Sequence, residues 1–418
     1  MHRNTKKGYL FVTIKKLRFR RILILAGIIS LLVIYPILYA QVLSSPKDRT
    51  GADFISFYTA GWIAQRYGVQ EVYDIDLQRK EQQAVVGFAL AENQVLIYNH
   101  MPYLIPVLKW ITSDNYVNSF IRWSLFSLFI YVAAIVLLLG IVNEKSPLYK
   151  KGSLLFISSI SFFPLFISIA NGQDTPILFL GLALWVWGFS KEKDGIAGIG
   201  LALATIRPHV ALVLALPLIF KRRKIWWWFL ASTAALGVFS FFLIGLKGMN
   251  SFVNILLMSA GGNWFGMNQE KMVNVLGLML RIFPMLSLKT MQSVAWGLYI
   301  LATIGLCILW IKTRRLDIRH LATAILAAVL FVPHLHYHDL TLLLIPIIIL
   351  ILYRDDLPVL KDLPELPLII SVLLLFSGSL LIIKLSIHYV VIVALFILLW
   401  LPRGLWQKED EVMTDAPA

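Results

Sequence analysis

The sequence predicts an all-α integral membrane protein: a bundle of about ten to twelve transmembrane helices, with amphipathic helices in the first outer loop. Three observations lead there. Of 418 residues, 59% are hydrophobic and 15% charged, against about 25% charged in soluble domains, and the mean hydropathy is +0.77. Long apolar runs recur along the whole chain, so lipid must be the solvent for most of them. The net charge of +15 is gathered into short clusters between those runs: Lys15 to Arg21, Lys150-Lys151, Lys221 to Lys224 and Lys312 to Arg315. That is the positive-inside pattern of cytoplasmic loops, and no nucleic-acid partner is expected from it. The single cysteine, Cys307, lies in an apolar run, which rules out an intramolecular disulfide.

The basic N-terminus stays inside, and Ile22 to Val42 reads as an uncleaved first span. Residues 44–118 are too polar to cross and form a first extracytoplasmic loop. Phe54 to Tyr67 and Asp76 to Ala91 have helical apolar spacing there, which fits helices lying along the outer interface. Spans follow at Phe120 to Val142, Leu154 to Ile169 and Pro176 to Phe189. Gly195 to Phe220 reads as a hairpin broken at Arg207-Pro208, because one straight span would put Lys221 to Lys224 outside. Further spans are Ile225 to Leu246, Thr290 to Ile311, Leu321 to Val332, Leu340 to Tyr353, Leu366 to Leu385 and Val390 to Leu401. Residues 1–402 make one domain, and 403–418 an acidic, disordered cytoplasmic tail. Both termini are expected to be cytoplasmic. Compact loops suggest a bacterial plasma membrane.

Under this topology the polar residues that interrupt apolar sequence converge on the outer side. They are Asp53, Tyr98 to Tyr103, Asn171 to Asp174, Asn263-Trp264 and His334 to Asp339. Ionisable groups at membrane depth are costly and default to functional candidates. Asp53 can act as a general base or as the N-cap of a helix starting at Phe54, and spacing alone favours the cap. Asp74 and Asp76 could hold a divalent ion, but helix capping is the stronger reading. Arg207 offers a planar fork to phosphate oxygens, or it snorkels or pairs structurally. His334 and His338 have a zinc-like helical spacing with no evident third ligand. Neutral histidines hydrogen-bonding sugar or phosphate fit better, so no metal or other cofactor is expected. Trp226-Trp227-Trp228 beside the basic cluster reads as an interfacial belt.

Taken in order, these segments resemble glycosyltransferase family 87, the polyprenol-phosphate-mannose-dependent branch of the GT-C superfamily. Gly51-Ala52-Asp53-Phe54 to Tyr58, followed by Val72-Tyr73-Asp74, resembles the family's Asp-Phe…Tyr…Tyr-Asp opening. His100-Met101-Pro102-Tyr103 resembles its His-Pro-Pro-Tyr segment, and Asn171-Gly172-Gln173-Asp174 its Gly-Gln loop. Ala197-Gly198 through Arg207-Pro208-His209 resembles its Ala-Gly…Lys-Pro-Gln stretch. Met272-Val273-Asn274-Val275-Leu276-Gly277 is similar to its Asn-Leu-Arg-Gly turn, and Pro333-His334 through His338-Asp339-Leu340 to its Pro-His…His-Asp-Leu motif. Arg207 stands where the family has lysine, Met101 where it has proline, and Leu276 where it has arginine.

The resemblance implies a GT-C-type bundle with an outward-opening, lipid-facing cavity. It implies metal-independent transfer of a hexose, often mannose, with inversion. The donor would be a polyprenyl-monophosphate sugar, and the acceptor a lipid or glycan. Asp53 maps onto the catalytic aspartate, which overrides the capping reading. Arg207, His334 and His338 map onto donor-phosphate binding. Tyr58, His100, Tyr103, Gln173 and Asp174 become substrate-binding candidates, with His209, Asn274, His336 and Asp339. A transporter or flippase would also explain a polar cavity and a broken hairpin, but not a long outer loop carrying Asp53. A lipid-linked oligosaccharide ligase is a third reading.

Overall fold

Where apolar sequence runs beyond about 20 residues, the chain forms helices long enough for a bilayer. The computed structural model describes residues 18–19, 21–44, 52–141, 152–260, 269–352, 366–375 and 386–400. Asn263-Trp264, the basic clusters before residue 18 and at 150–151, and the acidic tail lie outside them. The described residues are all-helical, without strands. In order they form α1 (Arg21–Ser44), α2 (Phe54–Arg66), α3 (Ile75–Val86), α4 (Ile105–Ile111), α5 (Tyr116–Leu139), α6 (Gly152–Ile160) and α7 (Phe163–Ala170). There follow α8 (Thr175–Ser190), α9 (Asp194–Leu203), α10 (Pro208–Ala215), α11 (Leu218–Lys221) and α12 (Arg223–Ala260). The last six are α13 (Val275–Ile282), α14 (Leu288–Lys312), α15 (Ile318–Phe331), α16 (Leu344–Leu352), α17 (Leu366–Leu375) and α18 (Ile387–Trp400).

Among the described residues α1, α5, α12 and α14 are long and apolar enough to cross singly, and α6 with α7 form a fifth candidate bent by 41°. The remaining apolar helices are shorter, and apart from α18 they are the more deeply buried ones. Every residue from Leu344 to Ile351 in α16 is buried, as is Leu321 to Val329 in α15. A helix that is apolar all round belongs in a core. The outer helices instead turn large apolar side chains outward, Phe242 at 79% exposure and Leu301 at 64%. Such a surface is stable in lipid and not in water.

The segment around Arg207 is a broken hairpin. Arg207 interrupts it between a 3₁₀ turn (Ala204–Ile206) and Pro208. Its two ends meet again, with Arg222 Nη1 3.9 Å from Asp194 Oδ1. Close approach of α8, α9 and α12 depends on glycine. A β-carbon on Gly181 would lie 2.7 Å from the Gly200 carbonyl oxygen, and one on Gly198 would lie 2.4 Å from Trp228 Cβ. Small residues serve this purpose where helices pack inside a bilayer. α12 then rises until Gly245, at φ 64°, breaks its axis. Beyond that break Lys247 pairs with Glu71 of the first loop at 2.6 and 2.8 Å.

The first loop forms a packed roof. The sequence places its first helix along the interface, yet α2 is buried from Phe54 to Gly61. Its aromatic residues pack against α5, with Phe54 stacked on Phe120 (4.6 Å) and Phe57 on Trp123 (5.2 Å). α3 keeps the expected amphipathic character, and Asp74 caps it by accepting from Leu77 N at 2.9 Å. Asp76 pairs with Arg79. Both carboxylates are therefore engaged in helix-end contacts rather than with each other.

The glycine contact gives a direct test. A β-carbon at Gly200 would meet Leu184 Cβ at 2.6 Å and the Gly181 carbonyl at 2.7 Å, whereas nothing lies within 4 Å of one at Gly237. Gly200→Val should lower thermal stability by about 1–3 kcal/mol or more, read as a drop in melting temperature of the detergent-solubilised protein. Gly237→Ala should leave it unchanged or slightly raised. Equal melting temperatures for the two variants would contradict this packing.

Candidate active site

The site grows from the Asn171–Asp174 loop, which α2 and α5 hold in place. Phe54 N donates to Asn171 O at 2.9 Å, and Trp123 Nε1 donates to Gly172 O at 2.9 Å. Gly172 sits at φ 70°, and a β-carbon there would lie 2.3 Å from Phe54 Cβ. Only glycine meets both demands. The loop is thereby pressed onto the first turn of α2, beside Asp53.

Asp53 occupies the N-cap position of α2, but its side chain makes no capping bond. Gln173 Nε2 donates to Asp53 Oδ2 instead. From the other end of that amide, Gln173 Oε1 accepts from Arg207 Nη2 at 3.2 Å. The same Nη2 donates to Asp174 Oδ1 at 2.9 Å, and Asp174 Oδ2 is 2.7 Å from His100 Nδ1. One hydrogen-bonded chain therefore joins Asp53, Gln173, Arg207, Asp174 and His100.

Local structure explains how His100 arrives there. Two buried glutamines of α3 satisfy the extended backbone before it. Gln78 Nε2 donates to Val72 O (2.8 Å) and Gln78 Oε1 accepts from Tyr98 N (2.9 Å). Gln82 bonds both the carbonyl and the amide of Leu96, at 2.6 and 3.1 Å. Buried backbone needs such partners. Tyr73 OH then donates to His100 O at 2.7 Å, and Phe57 packs on the imidazole with centroids 4.4 Å apart.

The Pro333–Asp339 segment closes the other side. His334 is a non-glycine residue at φ 65°, a strained conformation that the surroundings must impose. Val273 N donates to Leu335 O (3.0 Å), and Asn274 Nδ2 donates to Val332 O (2.8 Å). Asn274 Oδ1 also caps α13. Its side chain is thus spent on shaping this turn. Asp339 accepts from Thr175 Oγ1 (2.9 Å) and His336 N (2.9 Å), and lies 3.4 Å from His338 Nε2. Thr175 escapes sequence reasoning because a threonine after Asp174 carries no motif signal. His334 does not share a helix with His338; a 3₁₀ turn starts only at Tyr337. Among the described residues no three His, Cys, Asp or Glu side chains are disposed to hold one metal ion.

Other candidates divide into two groups. The His209 and His334 rings are 6.3 Å apart, and both feel the Arg207 charge. Three buried nitrogens here, Arg207 Nε, His209 Nε2 and His334 Nδ1, have no hydrogen-bond partner among the described residues, and such groups favour a ligand that can hydrogen-bond to them. Tyr103 OH lies 3.4 Å from Thr205 Oγ1 at the hairpin break. Tyr58 stands apart. Its hydroxyl donates to Ser113 O and its ring stacks on Trp62, which makes it part of the roof.

The carboxylates have opposite electrostatics. Burial pushes Asp53 above the usual carboxylate range, against the pull of His338, Gln173, His100 and Arg207. Burial also acts on Asp174, but Arg207 and His100 outweigh it and hold that group well below the usual range. Burial, reinforced by His338, lowers His336 to about 3. Two carboxylates set apart in this way can take different roles, one as a fixed anion and one as a proton acceptor.

Gly172→Ala should displace α2 and Asp53 together. A misplacement of about 1 Å can cost about a hundredfold in rate, so any activity that depends on Asp53 should fall by at least about tenfold while the protein still purifies as a monodisperse species. Wild-type rates in this variant would show that the Gly172–Phe54 contact does not set the site.

Comparison with known proteins follows the same residues. The model of Glycosyltransferase family 87 matches residues 103–336, more than half of the 418. The matched stretch contains Gln173, Asp174, Arg207, His209, Asn274, His334 and His336, while Asp53 and His100 precede it and His338 and Asp339 follow it. No curated protein matches the chain. This all-α membrane protein belongs to glycosyltransferase family 87, and it is a glycosyltransferase.

Proposed function

We propose that the chain moves a hexose, with mannose the first choice, from a polyprenyl-monophosphate donor to a lipid- or glycan-linked acceptor. Transfer takes place on the extracytoplasmic face with inversion at the anomeric carbon. The observation that carries this reading is the continuous chain from Asp53 through Gln173 to Arg207. It links the carboxylate that would accept the proton to a cation in one largely buried network. The basic clusters at the opposite helix ends support the extracytoplasmic assignment.

In this mechanism Asp53 takes the proton of the acceptor hydroxyl as that oxygen attacks the anomeric carbon. The bond from that carbon to the phosphate oxygen breaks on the opposite side. The phosphate leaves with an added negative charge. Arg207 Nε, with His334 and His338, would stabilise that charge in a site where electrostatics are strong. His209 Nε2 is a fourth group in reach of the same region. Asp174 keeps Arg207 charged and aimed, and Asp339 with Thr175 orients the His336–His338 turn. No nucleotide pocket is needed, because the sugar arrives activated on lipid.

Asp53→Asn should reduce transfer from labelled polyprenyl-phosphate-mannose to a lipid acceptor by at least about a hundredfold, measured on purified protein. Undiminished transfer would remove Asp53 from the mechanism. The pH profile tests the same group by its sign. The base is competent only when ionised, so the rate should fall as pH drops through a value above the ordinary carboxylate pKa of about 4. Gln173→Ala removes a donor to the ionised form and should move that acid limb to higher pH. A limb that stays in place would separate Gln173 from the proton acceptor.

A further inference from the structure

Three of the helical segments that carry site residues share a second feature at their far ends. α8 starts after Asp174 and ends beside Lys191. The α10–α11 segment starts after Arg207 and ends at Lys221. α15 starts after Asp317 and ends shortly before His334. At about 1.5 Å per residue, the ends of α8 lie roughly 24 Å apart. The far ends enclose a cavity of about 1010 Å³. Its lining holds six cations, Lys191, Lys221, Arg222, Arg314, Arg315 and Arg319, against the carboxylates of Glu192 and Asp317.

Two of those cations are already engaged. Arg319 binds Asp317 at 2.5 and 2.9 Å. Arg222 lies over the Phe189 ring at 4.6 Å and faces Asp194. Lys191, Lys221, Arg314 and Arg315 form no ion pair among the described residues. A positive-inside bias accounts for basic loops, but such loops could lie apart in solvent. Gathering four unpaired cations around one cavity raises their mutual repulsion, and a bound anion relieves it. The helices that lead to the lining residues indicate which anion fits. Phe220, next to Lys221 in the chain, is 46% exposed, Ile311, near the end of α14, is 49% exposed, and Trp227, at the start of α12, is 65% exposed. A soluble ligand has no use for these apolar neighbours, whereas acyl chains do.

We propose that this cavity is a second ligand site, which seats the phosphate headgroup of an anionic phospholipid from the leaflet opposite the transfer site. The headgroup lies among Lys221, Arg314 and Arg315, and its chains run along the apolar faces of α12 and α14. Basic pockets between membrane helices are suited to such headgroups. The site is separate from the Asp53 network and does not depend on the donor assigned above.

The test uses full-length protein in detergent, with phosphatidylglycerol, cardiolipin or phosphatidylcholine added and retention read by native mass spectrometry. The two anionic lipids should be retained in preference to phosphatidylcholine. The combined Lys221→Gln, Arg314→Gln, Arg315→Gln variant should weaken that retention by at least about thirtyfold. A charge-matched control, Lys80→Gln, Lys109→Gln, Lys289→Gln, should retain both lipids as the wild type does. Equal retention by the two triple variants would overturn the proposal. So would binding of inorganic pyrophosphate without retention of either anionic lipid, which would assign the cavity to a soluble anion. If the first variant does not fold, salt dependence of the wild type decides: retention unchanged between about 50 and about 500 mM salt would equally overturn it.

Discussion

The structure turns on one largely buried arginine. Arg207 lies where a membrane hairpin breaks, and its guanidinium is committed to Asp174 and Gln173. Desolvating such a charge costs several kcal/mol, and stranding it by removing its partner costs about 3–5 kcal/mol. The elements around it therefore have to deliver partners to one point. Asp174 comes from the α7–α8 loop and Asp339 from the turn after α15, while His100 from the roof holds the other oxygen of Asp174. Pro208 removes the backbone donor that would continue the helix, so the chain opens where the cation needs access.

That arrangement gives two nearby carboxylates different character. Asp174 sits directly against the guanidinium and an imidazole, and stays ionised. Asp53 touches the same cation only through the Gln173 amide, so burial dominates and its proton affinity rises. The intervening glutamine matters for this reason. A direct Asp53–Arg207 pair would hold the carboxylate as a weak base. The roof completes the arrangement by burying α2 rather than floating it, which fixes Asp53 at the start of a rigid element.

Particular residues show where sequence reasoning reached. Arg207-Pro208 announced the broken hairpin because proline and the charge rule act locally. The apolar runs announced the long helices for the same reason. Tyr58 and Asn274 belong to the matching motifs, yet the structure uses one to pack the roof and the other to pin a turn. A motif records which residues recur together, and packing decides which of them face the site. Thr175 and Trp123 carry no motif signal, and their roles come from partners 164 and 49 residues away in the chain. His334 and His338 share a helical spacing but not a helix, since Pro333 and the hydrogen bonds from Val273 N and the Asn274 side-chain amide hold His334 in a left-handed conformation.

By itself the sequence determined the solvent, the helical class and the chemical types at the site. Hydrophobic length, basic clusters and proline act over a few residues, and no distant contact can reverse them. Only the tertiary structure decided whether the carboxylate of Asp53 would cap its own helix or turn toward Gln173. That choice depends on Gly172 meeting Phe54 across 118 residues of chain. Close approach between distant segments is set by packing, and packing is a property of the assembled bundle rather than of any stretch within it.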